Sequence, residues 1–187
     1  MKKIITIFNR LFSTDKEKTS IKSESNSTLI TVDMMRALEE GIKLSDAKHY
    51  REALIKLDLA IESGIFKEAY SERGICLQML EFHLDAIDDF NKAIDLFPTD
   101  ANNYFFRSMS KKEIGEYDAA IFDNKQAILL SQSNSVENQE RNLKAKNLGY
   151  DAATQFYQFR LEFLEEEANS SVFMQHLIVK SKIRRNK

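Results

Sequence analysis

The residues best suited to chemistry in this chain are three histidines, one cysteine and a short run of aspartates. His49, His83 and His176 have no metal-ligand spacing among themselves or with Cys76, so no metal site is expected. Cys76 would need a neighbouring base to act as a nucleophile, and the pattern suggests none. The sequence also lacks a glycine-rich phosphate loop. We therefore expect no enzymatic activity and no cofactor.

The aspartates Asp85, Asp88 and Asp89 could suggest a pair of catalytic carboxylates. At helical spacing, however, acids three or four residues apart share one face, which is ordinarily the solvent face. The opposite face is apolar and consists of Ala86, Phe90, Ala93, Ile94 and Phe97. The three aspartates are therefore predicted to lie on the outer face of a helix that ends near Pro98.

The composition is that of a globular, helical protein. Its 187 residues include 30% charged and 43% hydrophobic side chains, which is typical of a folded domain. One proline and five glycines are too few for an all-β fold of this size. The net charge of −2 argues against a nucleic-acid partner. A single cysteine fits a reducing, cytoplasmic location, and the abundance of lysine, isoleucine and asparagine suggests a bacterial source.

A repeat unit of 34 residues organises the middle of the chain. In its best copy, positions 4, 8, 11, 20, 24, 27 and 32 are Tyr70, Gly74, Leu77, Ala86, Phe90, Ala93 and Pro98. The next copy matches with Tyr104, Ser108, Gly115, Tyr117, Ala120 and Ala127. The preceding copy matches with Gly41, Leu44, Tyr50, Ala53 and Ala60. Three copies therefore occupy residues 31–131.

The three copies are unequal. In the third copy, Ser108 replaces the small glycine, Asn124 replaces the aromatic residue of position 24, and Gln132 replaces the proline. In the first copy, Ala37 replaces the aromatic residue of position 4, and the join to the second copy is one residue short. These departures weaken the outer copies without breaking the pattern.

These residues, at these spacings, resemble the tetratricopeptide repeat. The resemblance implies an all-α fold, a right-handed superhelical stack of antiparallel helix pairs with three tetratricopeptide repeats and C-terminal capping helices. It implies that the small residues lie where the two helices of a pair cross closely. Such a stack has a concave inner surface that binds other proteins. The resemblance therefore implies a protein–protein interaction module, a scaffold or adaptor, rather than an enzyme.

The resemblance also implies where a partner would bind. Family members direct positions 2, 5, 9, 12 and 13 of each first helix into the concave groove, with position 6 close by. The predicted groove residues are Leu38, Glu39, Ile42, Glu68, Glu72, Ile75, Met79, Asn102, Phe105 and Met109. Apolar residues form the floor and acids surround it, so we expect a neutral or basic, partly apolar peptide or helix as partner. The alternative is that a terminal helix of the chain itself fills the groove.

One subfamily of these repeats clamps the C-terminal carboxylate of chaperones with lysine, asparagine and arginine side chains. The matching positions here are Leu38, Ile42, Glu72, Asn102 and Phe106. None of these residues carries a positive charge, and Glu72 would repel a carboxylate. The sequence therefore predicts that this protein does not bind chaperone tails.

The N-terminal segment, residues 1–28, has a basic amphipathic start followed by a polar linker. Its apolar stretch is too short for a signal peptide, and no window of the chain reaches the ~18 apolar residues of a membrane span. Met1–Phe12 could contact an anionic membrane surface, remain a tail without structure, or dock on the protein.

The C-terminal part echoes the repeats. The sequence GYDAA at 149–153 matches GEYDAA at 115–120 with one residue deleted, so residues 135–168 are predicted to be a degenerate fourth helix pair or a cap. In the pair, Val136–Leu148 would be the first helix and Asp151–Ala168 the second. The last region, residues 169–187, is predicted to begin with an interruption at residues 169–171 and to continue as a short helix and a basic tail.

The sequence leaves two further functions open. The protein could assemble with itself, through the exposed end of the stack or through the C-terminal aromatics Phe156, Tyr157, Phe159 and Phe163. It could instead be a peripheral membrane adaptor held by Met1–Phe12. The sequence leaves the oligomeric state and the identity of the partner open.

Overall fold

The computed structural model describes residues 24–64, 67–133 and 136–185, and every regular element in these ranges is an α-helix. The chain divides into two compact units, Met1–Asp33 and Met34–Lys187, and the second contains the helix pairs. The predictions about Met1–Phe12 lie outside the described ranges. The helices are α1 (Glu24–Asp46), α2 (Tyr50–Glu62), α3 (Lys67–Met79), α4 (His83–Leu96), α5 (Ala101–Glu113), α6 (Tyr117–Ser131), α7 (Val136–Asn147) and α8 (Ala153–Arg185).

The two helices of each pair are joined by the same tight turn. One residue in each turn has a positive φ: 64° at Lys48, 68° at Glu81, 83° at Gly115 and 89° at Gly149. The amide of the following residue donates to the carbonyl five residues earlier, as in the 2.9 Å bond of this kind that closes the first turn. The chain therefore reverses direction in the same way four times, although only two of the turns have the glycine that this backbone favours.

Each of the first two pairs is held by a close helix crossing at position 8. A Cβ atom built on Gly41 would lie 2.8 Å from the side chain of Leu57 on α2. A Cβ atom built on Gly74 would lie 2.8 Å from the ring of Phe90 on α4. Leu57 and Phe90 both occupy position 24, so this contact recurs from one repeat to the next. The small residues therefore lie at close crossings, as the resemblance implies.

An arginine at position 7 joins neighbouring helices. Arg73 of α3 donates two hydrogen bonds of 2.7 Å to the carboxylate of Asp89 on α4, and one of 2.6 Å to Asp58 on α2. Asp89 is only 2% exposed, so the prediction of a solvent-facing position was wrong for this residue, whereas Asp85 and Asp88 are exposed. The reason is that the planar guanidinium supplies the paired donors that a buried carboxylate needs.

The same arrangement recurs 34 residues later. Arg107 of α5 donates two hydrogen bonds of 2.7 Å to Asp123 on α6 and one of 2.6 Å to Asn91 on α4. In the first repeat the two positions hold Glu40 and Lys56, whose charged atoms are 2.7 Å apart, so the polarity of the pair is reversed. Each arginine thus connects the second helix of its own repeat to the second helix of the preceding repeat.

Helix α8 is a single helix of 33 residues. The predicted interruption at residues 169–171, with a separate short helix after it, was wrong. Asparagine and serine disfavour a helix by less than about 1 kcal/mol each, and both keep the backbone amide that the helix needs. The hydroxyl of Ser170 also donates to the carbonyl of Glu166 inside the helix, at 2.9 Å. The polar run therefore continues the helix.

The first half of α8 packs antiparallel to α6. Near one end, the hydroxyls of Ser131 and Thr154 are 2.7 Å apart. Farther along, Lys125 of α6 lies 3.0 Å from Glu165 of α8. Residue numbers fall along α6 as they rise along α8, so the two helices run in opposite directions.

The same half of α8 runs parallel to α5. Tyr157 donates to Asn102 near the start of α5 at 2.6 Å, and Lys112 near its end lies 3.3 Å from Glu167. In a regular stack, the first helix of the next repeat runs antiparallel to the helix before it and parallel to the preceding first helix. Helix α8 therefore has the neighbours of such a first helix.

The sequence predicted α7 for that place and α8 as the second helix of the pair. The difference has a physical reason, because α7 has few apolar side chains, whereas α8 has an aromatic face. The rings of Phe156 and Tyr157 lie 5.3 and 5.0 Å from the ring of Phe105, and burying them excludes more apolar surface from water than α7 could. The description of residues 135–168 as a fourth pair or a cap stays a proposal.

The substitution Gly74→Ala tests the close crossing. Alanine is the better helix former by about 1 kcal/mol, so an isolated helix would gain stability. Here the new Cβ would press on the ring of Phe90, and we expect the free energy of unfolding to fall by about 1–3 kcal/mol. Urea denaturation followed by circular dichroism measures the change, and a more stable variant would contradict the crossing.

Removal of the Arg73 guanidinium should leave Asp89 as a buried charge without its paired donors. We expect Arg73→Met to lower the free energy of unfolding by about 3–5 kcal/mol, and the added Asp89→Leu substitution to restore most of the loss. The pair Glu39–Lys43, whose lysine is exposed, is the control, and Lys43→Met should cost less than about 0.5 kcal/mol. If the single and double variants lost the same free energy of unfolding, the loss would not come from the unpaired charge of Asp89.

Candidate partner-binding surface

The first helices of the repeats, α1, α3 and α5, lie side by side and are joined by a row of polar contacts. Ser45 of α1 hydrogen-bonds to Cys76 of α3, and the Gln78 amide of α3 donates to Ser110 of α5 at 2.9 Å. Both contacts link position 12 of one helix to position 10 of the next. The ion pair of Lys112, also at position 12, extends this row to α8. The row fixes the spacing of the concave surface.

A strip of accessible apolar side chains remains on these helices. Ile42, Ile75 and Met109 occupy position 9 and are half-buried, while Met79 at position 13 is 45% exposed. Ile42 and Met109 pack partly against the two hydrophobic clusters of the stack. These four residues, called the apolar strip below, are the predicted apolar groove residues that a partner could touch.

Three other predicted groove residues are engaged inside the protein. Leu38 is 4% exposed and Phe105 is 5% exposed, and the side-chain oxygen of Asn102 accepts the hydrogen bond from Tyr157. Leu38 and Phe105 share position 5, which faces the next helix of the stack, as Ser71 does when it donates to α5. A partner would have to displace a helix to reach Leu38 or Phe105, so the predicted accessibility of these two was wrong.

The acidic residues predicted around the groove are half-buried and already engaged in the protein. Glu39 lies 2.9 Å from Lys43, and the hydrogen bond from this lysine lowers the pKa of the Glu39 carboxyl. Glu68 and Glu72 also have interactions within the protein. The surface next to the apolar strip therefore carries three carboxylates, at least one of them partly neutralised by a lysine.

Of the chemistry-bearing residues, Cys76, His49 and His83 lie apart from this surface or beneath it. Cys76 is buried, and burial raises the pKa of its thiol. His49 lies at the first turn, 3.2 Å from Glu52, and His83 begins α4. In the described part of the chain, no group of three histidine, cysteine or acidic residues is placed to hold a metal ion.

The geometry resembles several solved structures. The MamA protein is 19% identical, over 91% of this chain and 96% of that one, with a TM-score of 0.53. The CopN-Scc3 complex is 15% identical, over 78% and 84%, with a TM-score of 0.55. The first TPR of Spaghetti (RPAP3), bound to the HSP90 peptide SRMEEVD, is 18% identical, over 62% and 92%, with a TM-score of 0.52. This chain has the tetratricopeptide-repeat (TPR) fold.

At these identities the likeness establishes the architecture, a right-handed superhelical stack of antiparallel helix pairs. No protein-family model and no curated protein matches the sequence. In the described ranges, no helix has both the length and the apolar character that crossing a bilayer requires. The function of this TPR stack has therefore to be argued from its own surfaces.

The thiol at position 10 of the second TPR is expected to be protected. Only the thiolate reacts readily, and burial both raises the pKa of Cys76 and blocks reagents. We expect the native protein to react with DTNB at least about 100-fold more slowly than the chain unfolded in urea, at one mildly alkaline pH. Similar rates in the two states would contradict the burial of Cys76.

Proposed function

We propose that this protein is a non-catalytic interaction module that holds a partner peptide or helix on the concave surface of α1, α3 and α5. The proposal rests on the apolar strip, which a packed scaffold holds in place before any partner arrives. Such preorganisation reduces the conformational entropy lost on binding. The module would serve as a scaffold or adaptor.

The composition of the apolar strip suits a helical or extended peptide. Methionine is flexible and polarisable, so Met79 and Met109 can adapt to apolar side chains of different shapes. Ile75 lies one helical turn before Met79 on α3 and offers a firmer contact. The Spaghetti TPR binds a peptide in its structure, and CopN-Scc3 is a complex of proteins, which supports a protein partner here as well.

The charges beside the apolar strip favour a neutral or basic partner. Glu39, Glu68 and Glu72 flank it, and a partner with lysine or arginine near its apolar residues would gain from them. An acidic tail such as the HSP90 peptide fits poorly. Two of the positions that hold such tails in the tail-binding subfamily are already engaged, since Leu38 is buried and Asn102 is hydrogen-bonded to α8. We therefore infer a partly apolar partner of neutral or positive charge.

A peptide-display selection on the full chain tests this proposal. Selected peptides are expected to be rich in apolar and basic residues, and isothermal titration calorimetry then gives their affinities. Reversing the basic residues to glutamate should weaken binding by at least about tenfold at low salt, and the difference should shrink as salt is added. Tighter binding of the acidic version would contradict the proposed charge preference.

The surface itself is tested by substitution. Ile75→Lys with Met79→Lys should weaken the selected peptides by at least about tenfold, because two charges then occupy the apolar strip. The matched control is Ile55→Lys with Leu84→Lys, at exposed apolar positions on the second helices α2 and α4. Circular dichroism confirms that all variants are folded. Equal affinity of both variants would place the binding site elsewhere.

A further inference from the structure

Within the described part of the chain, helix α8 keeps several large apolar side chains exposed at the end of the stack. Phe159, Phe163, Phe173 and Met174 are between 46% and 63% exposed. The last element of a repeat stack ordinarily has a polar outer face, because no further repeat covers it. Clustered exposed aromatics of this kind mark an interaction surface.

The three phenylalanines belong to one seam of the helix, in which the polar Glu166 and Ser170 lie between Phe163 and Phe173. Phe159, Phe163, Glu166, Ser170, Phe173 and Leu177 follow one another at alternating spacings of four and three residues. This is the spacing at which one helix pairs lengthwise with another. Helix α8 is also long enough for such pairing, since it has 33 residues against 13 in α5 and extends about 30 Å farther at 1.5 Å per residue.

The charges along α8 identify the partner helix. Its first half carries the acids Glu162, Glu165, Glu166 and Glu167, and its last two turns carry the bases Lys180, Lys182, Arg184 and Arg185. Glu162 and Glu166 are exposed, and they precede Phe173 by 11 and 7 residues. Arg184 and Lys180 follow Phe173 by the same 11 and 7 residues. If a second α8 runs in the opposite direction with its Phe173 beside this one, each of these two acids therefore lies opposite a base.

We propose that α8 pairs antiparallel with α8 of a second copy of this chain, around a two-fold axis at Phe173. Each acid block would then face the base block of the other copy. A parallel pair would place acids against acids and bases against bases. A two-fold pair is also closed, so the α8 surface of each copy is covered and recruits no further copies. This surface is separate from the one proposed to bind a peptide.

Charge reversal in two complementary variants tests the pairing. The wild-type mass in analytical ultracentrifugation should rise with concentration from 21.7 kDa toward twice that value. Glu162→Lys with Glu166→Lys, and separately Lys180→Glu with Arg184→Glu, should each raise the dimer dissociation constant at least about tenfold. An equimolar mixture of the two variants should dimerise again, because every repelled pair becomes an attractive one.

Two further variants separate pairing from folding. Phe173→Glu brings two carboxylates together at the axis and should also give monomers, whereas Leu84→Glu, at an exposed site on α4, should dimerise like the wild type. Circular dichroism confirms the helix content of each. The proposal is overturned by a wild type that stays monomeric, including one whose α8 binds only a different protein. It is equally overturned by charge-reversed variants that dimerise alone, or by a mixture that does not recover.

Discussion

The contact between position 8 of a first helix and position 24 of its second helix sets the spacing on which the rest of the stack depends. Gly74 allows the ring of Phe90 to approach closely. In the third repeat the same positions hold Ser108 and Asn124, both buried. A larger residue at one position accompanies a smaller one at the other, so two departures from the repeat pattern form one compensated change. The compensated change still costs free energy, because the buried side-chain oxygen of Asn124 lacks a hydrogen bond.

The buried ion pairs depend on this spacing. The two 2.7 Å bonds from Arg73 to Asp89 form only if α3 and α4 are held at one distance and one register. Burying two charges costs about as much as their attraction returns, so the pairs specify the alignment of the helices more than they add net stability. The pair Glu40–Lys56 keeps opposite charges at these positions with the signs exchanged. By aligning the pairs, these contacts also align the concave surface.

The sequence predicted the helix pairs, their turns and the close crossings, because small and aromatic residues act over local, regular spacings. It did not predict which residues face the next helix, since that depends on contacts between repeats. Leu38 and Phe105 are buried for this reason. The position of α8 in the stack could not be predicted from the turn at Gly149, because it depends on the ring contacts that α8 makes with Phe105. The sequence did contain a signal for the buried ion pairs, because Arg73 and Asp89 recur one repeat later at equivalent positions.

At the end of the stack, apolar side chains of the described residues stay exposed, which is a problem for a repeat stack. Each first helix covers the apolar face of the one before it, and α8 does so for α5, yet the outer aromatics of α8 remain exposed among the described residues. Adding another repeat would only move the problem outward. A two-fold pair removes it, because each copy covers the other. Such a pair would also carry two concave surfaces in one particle, so a partner with two binding segments would gain from their high effective concentration.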